Sequence, residues 1–179
     1  FPAMHTDLTP KPMSTNRSAA AGWAMAAATT TLVILGDQIS KSLAVSRLMD
    51  GPIKGPGPFW FHLVANRGAL LGFPLPTWLL FSVVALVMAM AVSALAAATS
   101  RRVIVAWGLL VGGAAGNLID RLQHRPRFPS HAVVDWIASA SFPTFNLADV
   151  AIISGLVLLA VTTTSSSAPS PRDSDRPVP

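Results

Sequence analysis

The sequence predicts an α-helical integral membrane protein: four transmembrane helices and a small β-platform outside the bilayer. Three observations carry that expectation. Of 179 residues, 51% are hydrophobic and only 12% are charged, about half the charge of an ordinary soluble domain. Four stretches approach the roughly 20 apolar residues that cross a bilayer core. The polar residues between those stretches gather mostly at their ends on one side.

Composition excludes several classes. There is no cysteine, hence no disulfide framework, thiol nucleophile or Cys-ligated metal. The net charge of +5 comes from scattered Lys and Arg, without the basic block that tracks phosphates, so no nucleic-acid partner is expected. Residues 1–18 are polar and contain proline, and 165–179 are Ser, Pro, Arg and Asp. Both segments are expected to be disordered, leaving 19–164 as one four-span membrane domain.

The first span is expected from about Ala19 to Leu35. It is read as an uncleaved helix and not a signal peptide, because Gly36-Asp37-Gln38 follows it where a small-x-small cleavage site would stand. A loop is expected from 37 to 74. Within it a Gly/Pro cluster marks turns, and "FWFHLVAN" reads as a short strand whose aromatics suit the headgroup layer. The second span is Leu75 to Ala98. A tight hairpin at Ser100–Arg102 leads to the third, Val103 to Ile119, which carries Gly108, Gly112 and Gly116 at four-residue spacing with Gly113 beside them. Such spacing lets helix backbones approach closely. A second long loop, 120–146, precedes the fourth span, about Leu147 to Thr163.

Four spans place both ends of the chain on one face. The termini and the "SRR" hairpin hold six basic residues and the two long loops hold seven, so the count does not decide orientation. The tight SRR turn favours a cytoplasmic hairpin, with the long loops outward.

The polar residues at the span ends need a reason, since a charge at the bilayer centre costs about 2.5–3.5 kcal/mol on insertion scales. They are Asp37, Lys41, Asn66, Arg67, Asn117, Asp120, Arg121, Asp135, Asn146 and Asp149. Asp37 and Lys41 stand four apart, on one helix face if the helix continues. They read as an ion pair or cap, or as support for a neighbouring site. Asn117 and Asp120 share a face, and Arg121 has the fork for a carboxylate or lipid phosphate. Asp135 lies in "VVDW" and Asp149 begins the fourth span, both in apolar settings. Two carboxylates brought together split their titration, one holding a proton while the other stays ionised. That serves an aspartic protease, and it equally serves a proton-coupled transporter or channel. The four histidines lack metal-ligand spacing; His124 and His131 read as loop residues. No metal or organic cofactor is expected.

In order, the chain shows "GDQISK", "NRGALLGF", "GGAAGNLIDR", "VVDW" and "FPTFNLADVAI" between its four spans. Over roughly residues 20–163 this resembles the bacterial lipoprotein signal peptidases, the type II signal peptidases. The resemblance implies a four-helix membrane aspartic endopeptidase with an extracytoplasmic β-platform; a monomer is expected. It implies a site near the outer face of the cytoplasmic membrane and both termini in the cytoplasm. It implies cleavage of diacylglyceryl-modified prolipoproteins just before the lipidated cysteine, with membrane lipids around the protein. Asp135 and Asp149 match the family's catalytic aspartates. Asp37, Lys41, Asn66, Gly68, Asn117, Asp120, Arg121 and Asn146 match its supporting set, with Asp120 ranked as a structural partner of Arg121. The chain departs from the family's usual pattern in a longer 121–134 stretch, in Trp136 where Phe is commoner, and in Leu70-Leu71 ahead of Phe73.

Overall fold

The computed structural model describes residues 14–98, 100–123 and 128–166. The expectations of disorder for 1–13 and 167–179, and the readings of His5 and His124, lie outside them. The elements run α1 (Ser14–Leu48), β1 (Ile53–Lys54), β2 (Phe59–Asn66), a 3-10 turn at Leu70–Gly72, α2 (Thr77–Ala97), α3 (Arg101–Leu122), β3 (Val133–Ser139), β4 (Phe142–Phe145) and α4 (Leu147–Ser166). Four helices are long and apolar enough to cross a membrane: Ser18–Leu48, Thr77–Ala97, Arg101–Leu122 and Leu147–Thr164.

Three spans start and end close to where composition places them. The first is corrected. It begins at Ser14, inside the segment expected to lack structure, and it runs on to Leu48, far past the expected end at Leu35. The 31 residues from Ser18 make a helix about 46 Å long at 1.5 Å per residue, longer than the hydrocarbon core. The helix survives past Asp37 because its inward stripe continues. Ala26, Asp37, Lys41, Ala44 and Leu48 are all buried, at a helical period. The polar members of that stripe find partners on α3 and α4, so nothing forces the chain to turn.

The two long loops meet in the small sheet that was expected: β2 from the first pairs antiparallel with β3 from the second, in a four-stranded sheet of order β1-β2-β3-β4. The register sets Val64 opposite Asp135 and Phe61 opposite Ile137, so His62 and Leu63 together face Trp136 across a bulge. A bulge bends its strand and re-aims nearby side chains, and here it lies next to Asp135.

Helix α3 is the centre of the bundle. Twelve of its residues are buried, against two on α2. Its glycines explain why. A methyl on Gly108 would meet Thr29 Cβ at 2.8 Å, and one on Gly112 would meet Val33 Cβ at 2.7 Å. One on Gly113 would meet the Ala148 carbonyl oxygen at 2.5 Å. The small residues thus seat α1 on one side and α4 on the other at backbone distance. The outward faces carry exposed Leu32, Leu35, Ile39, Leu86, Met90, Leu156 and Val157, a surface made for lipid and not for water.

Candidate active site

The close helix packing delivers the polar residues to one place. Asp37, Lys41, Asn66, Asn117, Asp120, Arg121, Asp135, Asn146 and Asp149 are all buried. They come from α1, β2, α3, β3, α4 and, for Asn146, the position just before α4. Gly68 completes the set in the loop after β2.

Asp149 is placed by a reciprocal cap. In "FNLAD" the Asn146 Oδ1 accepts the Asp149 N–H at 3.0 Å, and Asp149 Oδ2 accepts the Asn146 N–H at 3.4 Å. This is the capping-box arrangement, with Asn and Asp in place of Ser/Thr and Glu. The next free amide of the helix start, Ala148 N–H, donates to Asp37 Oδ1 at 3.0 Å across from α1. So three orphan donors at the start of α4 hold this site together. The helix N-terminus also supplies a positive dipole end for the Asp149 carboxylate.

Asp135 is placed by the sheet and by two amides. Asn146 Nδ2 donates to its Oδ1 at 2.6 Å, and Asn66 Nδ2 donates to its Oδ2 at 2.9 Å. Asn66 is itself fixed, because the Gly68 N–H donates to its Oδ1 at 2.7 Å. Asn146 therefore touches both aspartates, Asp135 through its side chain and Asp149 through the cap. Asn117 Nδ2 donates to Asp149 Oδ1 at 2.9 Å. Burial, and then the nearby charge of Asp149, push the Asp135 carboxyl from 3.8 up to about 7, against the opposing hydrogen bonds of Asn146 and Asn66 and the charge of Lys41.

Behind this layer lies an ionic one. Lys41 Nζ is 2.7 Å from Asp37 Oδ2 and 3.0 Å from Asp120 Oδ2, all three fully buried. Asp120 also accepts the Val134 N–H at 3.1 Å, which pins β3 one residue before Asp135. The expected pairing of Asp120 with Arg121 is thereby corrected. The i, i+1 positions point different ways on a helix. Asp120 faces Lys41, and Arg121 turns its two terminal nitrogens to the carbonyls of Asn117 and Gly68, at 3.0 and 2.6 Å. Gly68 must stay bare to allow this, since a Cβ there would stand 2.5 Å from the Phe73 carbonyl oxygen.

Two contributors were not legible beforehand. Gln38 Nε2 donates to Asp37, to the Gly116 carbonyl and to Asp120; an uncharged neighbour of Asp37, off its helix face, gave no signal. His131, at φ 62°, sets its Nδ1 2.9 Å from the Arg121 carbonyl, so it is a loop residue as read, and one that closes the end of α3. Among the described residues no three His, Asp or Glu side chains converge as a metal site.

A cleft of about 680 Å³ opens over Asp135, walled by Asn66, Arg67, Gly68, Leu71, Pro76 and Thr144. Beside it a smaller pocket of about 290 Å³ runs between α2, α3 and α4. It is almost wholly apolar, with Leu80, Phe81, Val84, Leu110 and Ile152 on its walls and Asn117 and Arg121 at its polar end. The two share Leu75. A mixed cleft at a carboxyl thus lies against an apolar slot, concave surfaces of the kind that take ligands.

Known proteins resemble this chain in sequence and in fold. The family model described as signal peptidase (SPase) II matches residues 29–165. The lipoprotein signal peptidase of Streptomyces coelicolor is 39% identical over 125 residues, 68% of this chain and 61% of that protein. That of Syntrophomonas wolfei is 34% identical over 134 residues, 73% of this chain and 86% of that protein. The chain thus spans less than two thirds of the Streptomyces relative. A solved bacterial membrane enzyme, determined by the in meso method at 2.3 Å resolution, superposes with a TM-score of 0.67 at 23% identity, over 89% of this chain and 95% of the other, a likeness of fold. With three quarters of its length matched by one family model and its sequence kinship running the same way, the chain belongs to the signal peptidase II family.

Proposed function

We propose that this protein is a membrane aspartic endopeptidase that removes the signal peptide from diacylglyceryl-modified prolipoproteins, cutting just before the lipidated cysteine. The observation that carries the reading is the pair Asp135 and Asp149. Both are buried at 1% exposure, both touch Asn146, and Asp135 opens onto the cleft with a carboxyl raised to about 7. A carboxyl so raised holds a proton where its partner is ionised.

The chemistry follows from that division. The ionised carboxylate takes a proton from a water as its oxygen attacks the scissile carbonyl carbon. The protonated carboxyl hydrogen-bonds the carbonyl oxygen and steadies the charge that develops there. The tetrahedral intermediate then collapses, the C–N bond breaks, and the cysteine amine leaves with a proton from the dyad. The two carboxyls act as one titrating unit, so which holds the proton is a property of the pair. Asn66, Asn117, Arg121 and Asn146 hold the pair and its surroundings in place. The step uses no metal or organic cofactor.

The apolar pocket beside the cleft suits the greasy part of such a substrate. Acyl chains confine the substrate to the bilayer surface, and that confinement removes much of the entropy cost of reaching the site. A proton-coupled transporter has less support, because among the described residues the buried ionisable groups form one layer at one end of the helices and not a path through them.

The test is cleavage of a diacylglyceryl-modified prolipoprotein by purified protein in detergent. Asp135→Asn and Asp149→Asn are expected to abolish cleavage while folding normally. Asp120→Asn is expected to weaken it, since Asp120 reaches the site indirectly, through Lys41 and β3. Cleavage that persists in both dyad variants overturns the aspartic mechanism. Failure of the native chain to cut a lipidated substrate overturns the substrate assignment.

A further inference from the structure

The amides around the two aspartates raise a question of direction. An asparagine side chain has nearly the same shape after its oxygen and nitrogen exchange places, so something must fix which end faces the carboxylate. For Asn66 the Gly68 N–H does so locally. For Asn146 the Asp149 N–H does so too, donating to its Oδ1 at 3.0 Å, and for Asn117 the charged donor on the side-chain oxygen is Lys41. Its ammonium has donors and no acceptor, and its Nζ is 2.9 Å from Asn117 Oδ1. That contact turns Asn117 Nδ2 toward Asp149. The same Asn117 Oδ1 accepts from Asn146 Nδ2 at 3.1 Å, and the Asn146 amide, directed by its own cap, also gives that nitrogen to Asp135 Oδ1.

We propose that Lys41 is a positioning residue for the reaction, holding the Asn117 amide with its oxygen toward the ammonium and its nitrogen toward Asp149. The inference rests on the dyad reading above. Lys41 itself is fully buried and lines neither cavity beside the site, so it acts only through its neighbours. The charged groups around the cluster are Asp37 on its own helix, Asp120 and Arg121 on α3, Asp149 on α4 and Asp135 on β3. Asp37 and Asp120 fasten the ammonium from behind, leaving its remaining donor for Asn117. Without the ammonium the Asn117 oxygen keeps only the neutral donor of Asn146, and its amide is freer to turn. A carbonyl oxygen would then face Asp149, an arrangement that suits only a protonated carboxyl. The positive charge that opposes the upward push on Asp135 would go with it.

The experiment compares native protein with Lys41→Met, Lys41→Arg and Asn117→Leu, reading kcat, KM and the pH profile of lipidated-substrate cleavage. Folding is checked by monodispersity and thermal midpoint in detergent. Lys41→Met is expected to lower kcat about tenfold or more, the scale of a hydrogen bond to a charged group, with KM little changed. The pH limb set by Asp135 should move up by about one unit. Lys41→Arg keeps the cation and the donors, and is expected to restore the native limb and part of kcat. Asn117→Leu leaves both ion pairs of Lys41 in place yet removes that amide, so the limb should move the same way. Should Lys41→Met fail to fold, that variant decides alone. A folded Lys41→Met or Asn117→Leu protein whose limb stays at the native pH overturns the inference. If the dyad variants of the preceding test still cut, the dyad reading falls first. If they do not, and the limb is unmoved, only the role of Lys41 falls.

Discussion

Asp135 is the residue whose chemistry is most exposed to measurement. Its carboxyl is raised from 3.8 to about 7, first by burial and then by the charge of Asp149. A carboxyl raised in the folded state binds its proton more tightly there than in the unfolded chain. Its contribution to stability is therefore fully present below about pH 4 and is lost as pH rises through about 7. Catalysis has the same direction if the dyad must hold one proton, since the second deprotonation removes it. We expect kcat/KM for a lipidated substrate to fall above about pH 7, and the thermal midpoint in detergent to decline over the same interval. A profile flat from pH 6 to 9 would deny Asp135 any share of the dyad proton. Asn146 explains why these two residues behave as one group. It joins them by two hydrogen bonds, one from its side chain to Asp135 and one from the Asp149 amide to its own oxygen.

At the scale of elements, the site depends on how closely α4 sits against α3. Gly113 is the tightest point, where a methyl would stand 2.5 Å from the Ala148 carbonyl oxygen and 2.7 Å from Ile152 Cγ1. Gly113→Ala must push the first turn of α4 outward, and Asp149 and Asn146 are carried on that turn. We expect at least a tenfold loss of cleavage and a lower thermal midpoint, because overpacking of this kind costs about 1–3 kcal/mol. Gly36→Ala is the matched control. It is exposed in the interior of α1 with nothing within 4 Å, so the alanine should be neutral or stabilise by up to about 1 kcal/mol. Equal losses in the two variants would remove helix approach as the cause. The glycine spacing was legible in the sequence because close approach has a compositional signature. The strand at 59–66 was legible through its aromatic and β-branched content. The far end of α1 was not, because hydropathy drops at Asp37 while helical periodicity carries on, and the partners that compensate Lys41 lie 76 and 79 positions away on α3. The strand at Val133–Ser139 was not recognised either; its first residues are apolar on both faces because it is buried between β2 and α3. The site residues themselves stood out as costly polar groups. Their division into an amide layer and an ionic layer depends on tertiary contacts that spacing cannot convey.

For the whole molecule the open matter is which way it stands in the membrane. The described helices number four, so the start of α1 and the end of α4 lie on the same face. The sheet, the cleft and the polar layer lie at the opposite one. Aromatic residues mark both faces, exposed Trp23 near the start of α1 on one, exposed Trp60 and Trp78 beside the sheet on the other. Such residues settle at the headgroup level. Arg101 and Arg102 begin α3 on the face away from the sheet, and in so tight a connection they weigh toward the cytoplasm. A substrate already lipidated and threaded outward would meet the sheet end first. The lack of native cysteine in the chain makes the orientation directly measurable. Lys54 on β1 and Ser100 in the α2–α3 connection are both exposed and lie outside the polar layer, so a single cysteine at either place should leave cleavage intact. In spheroplasts, a membrane-impermeant maleimide is expected to label Lys54→Cys at once. Ser100→Cys should label only after the membrane is permeabilised. The reverse pattern would put the cleft at the cytoplasmic face, where a lipid-anchored precursor would have to present its cleavage site before export.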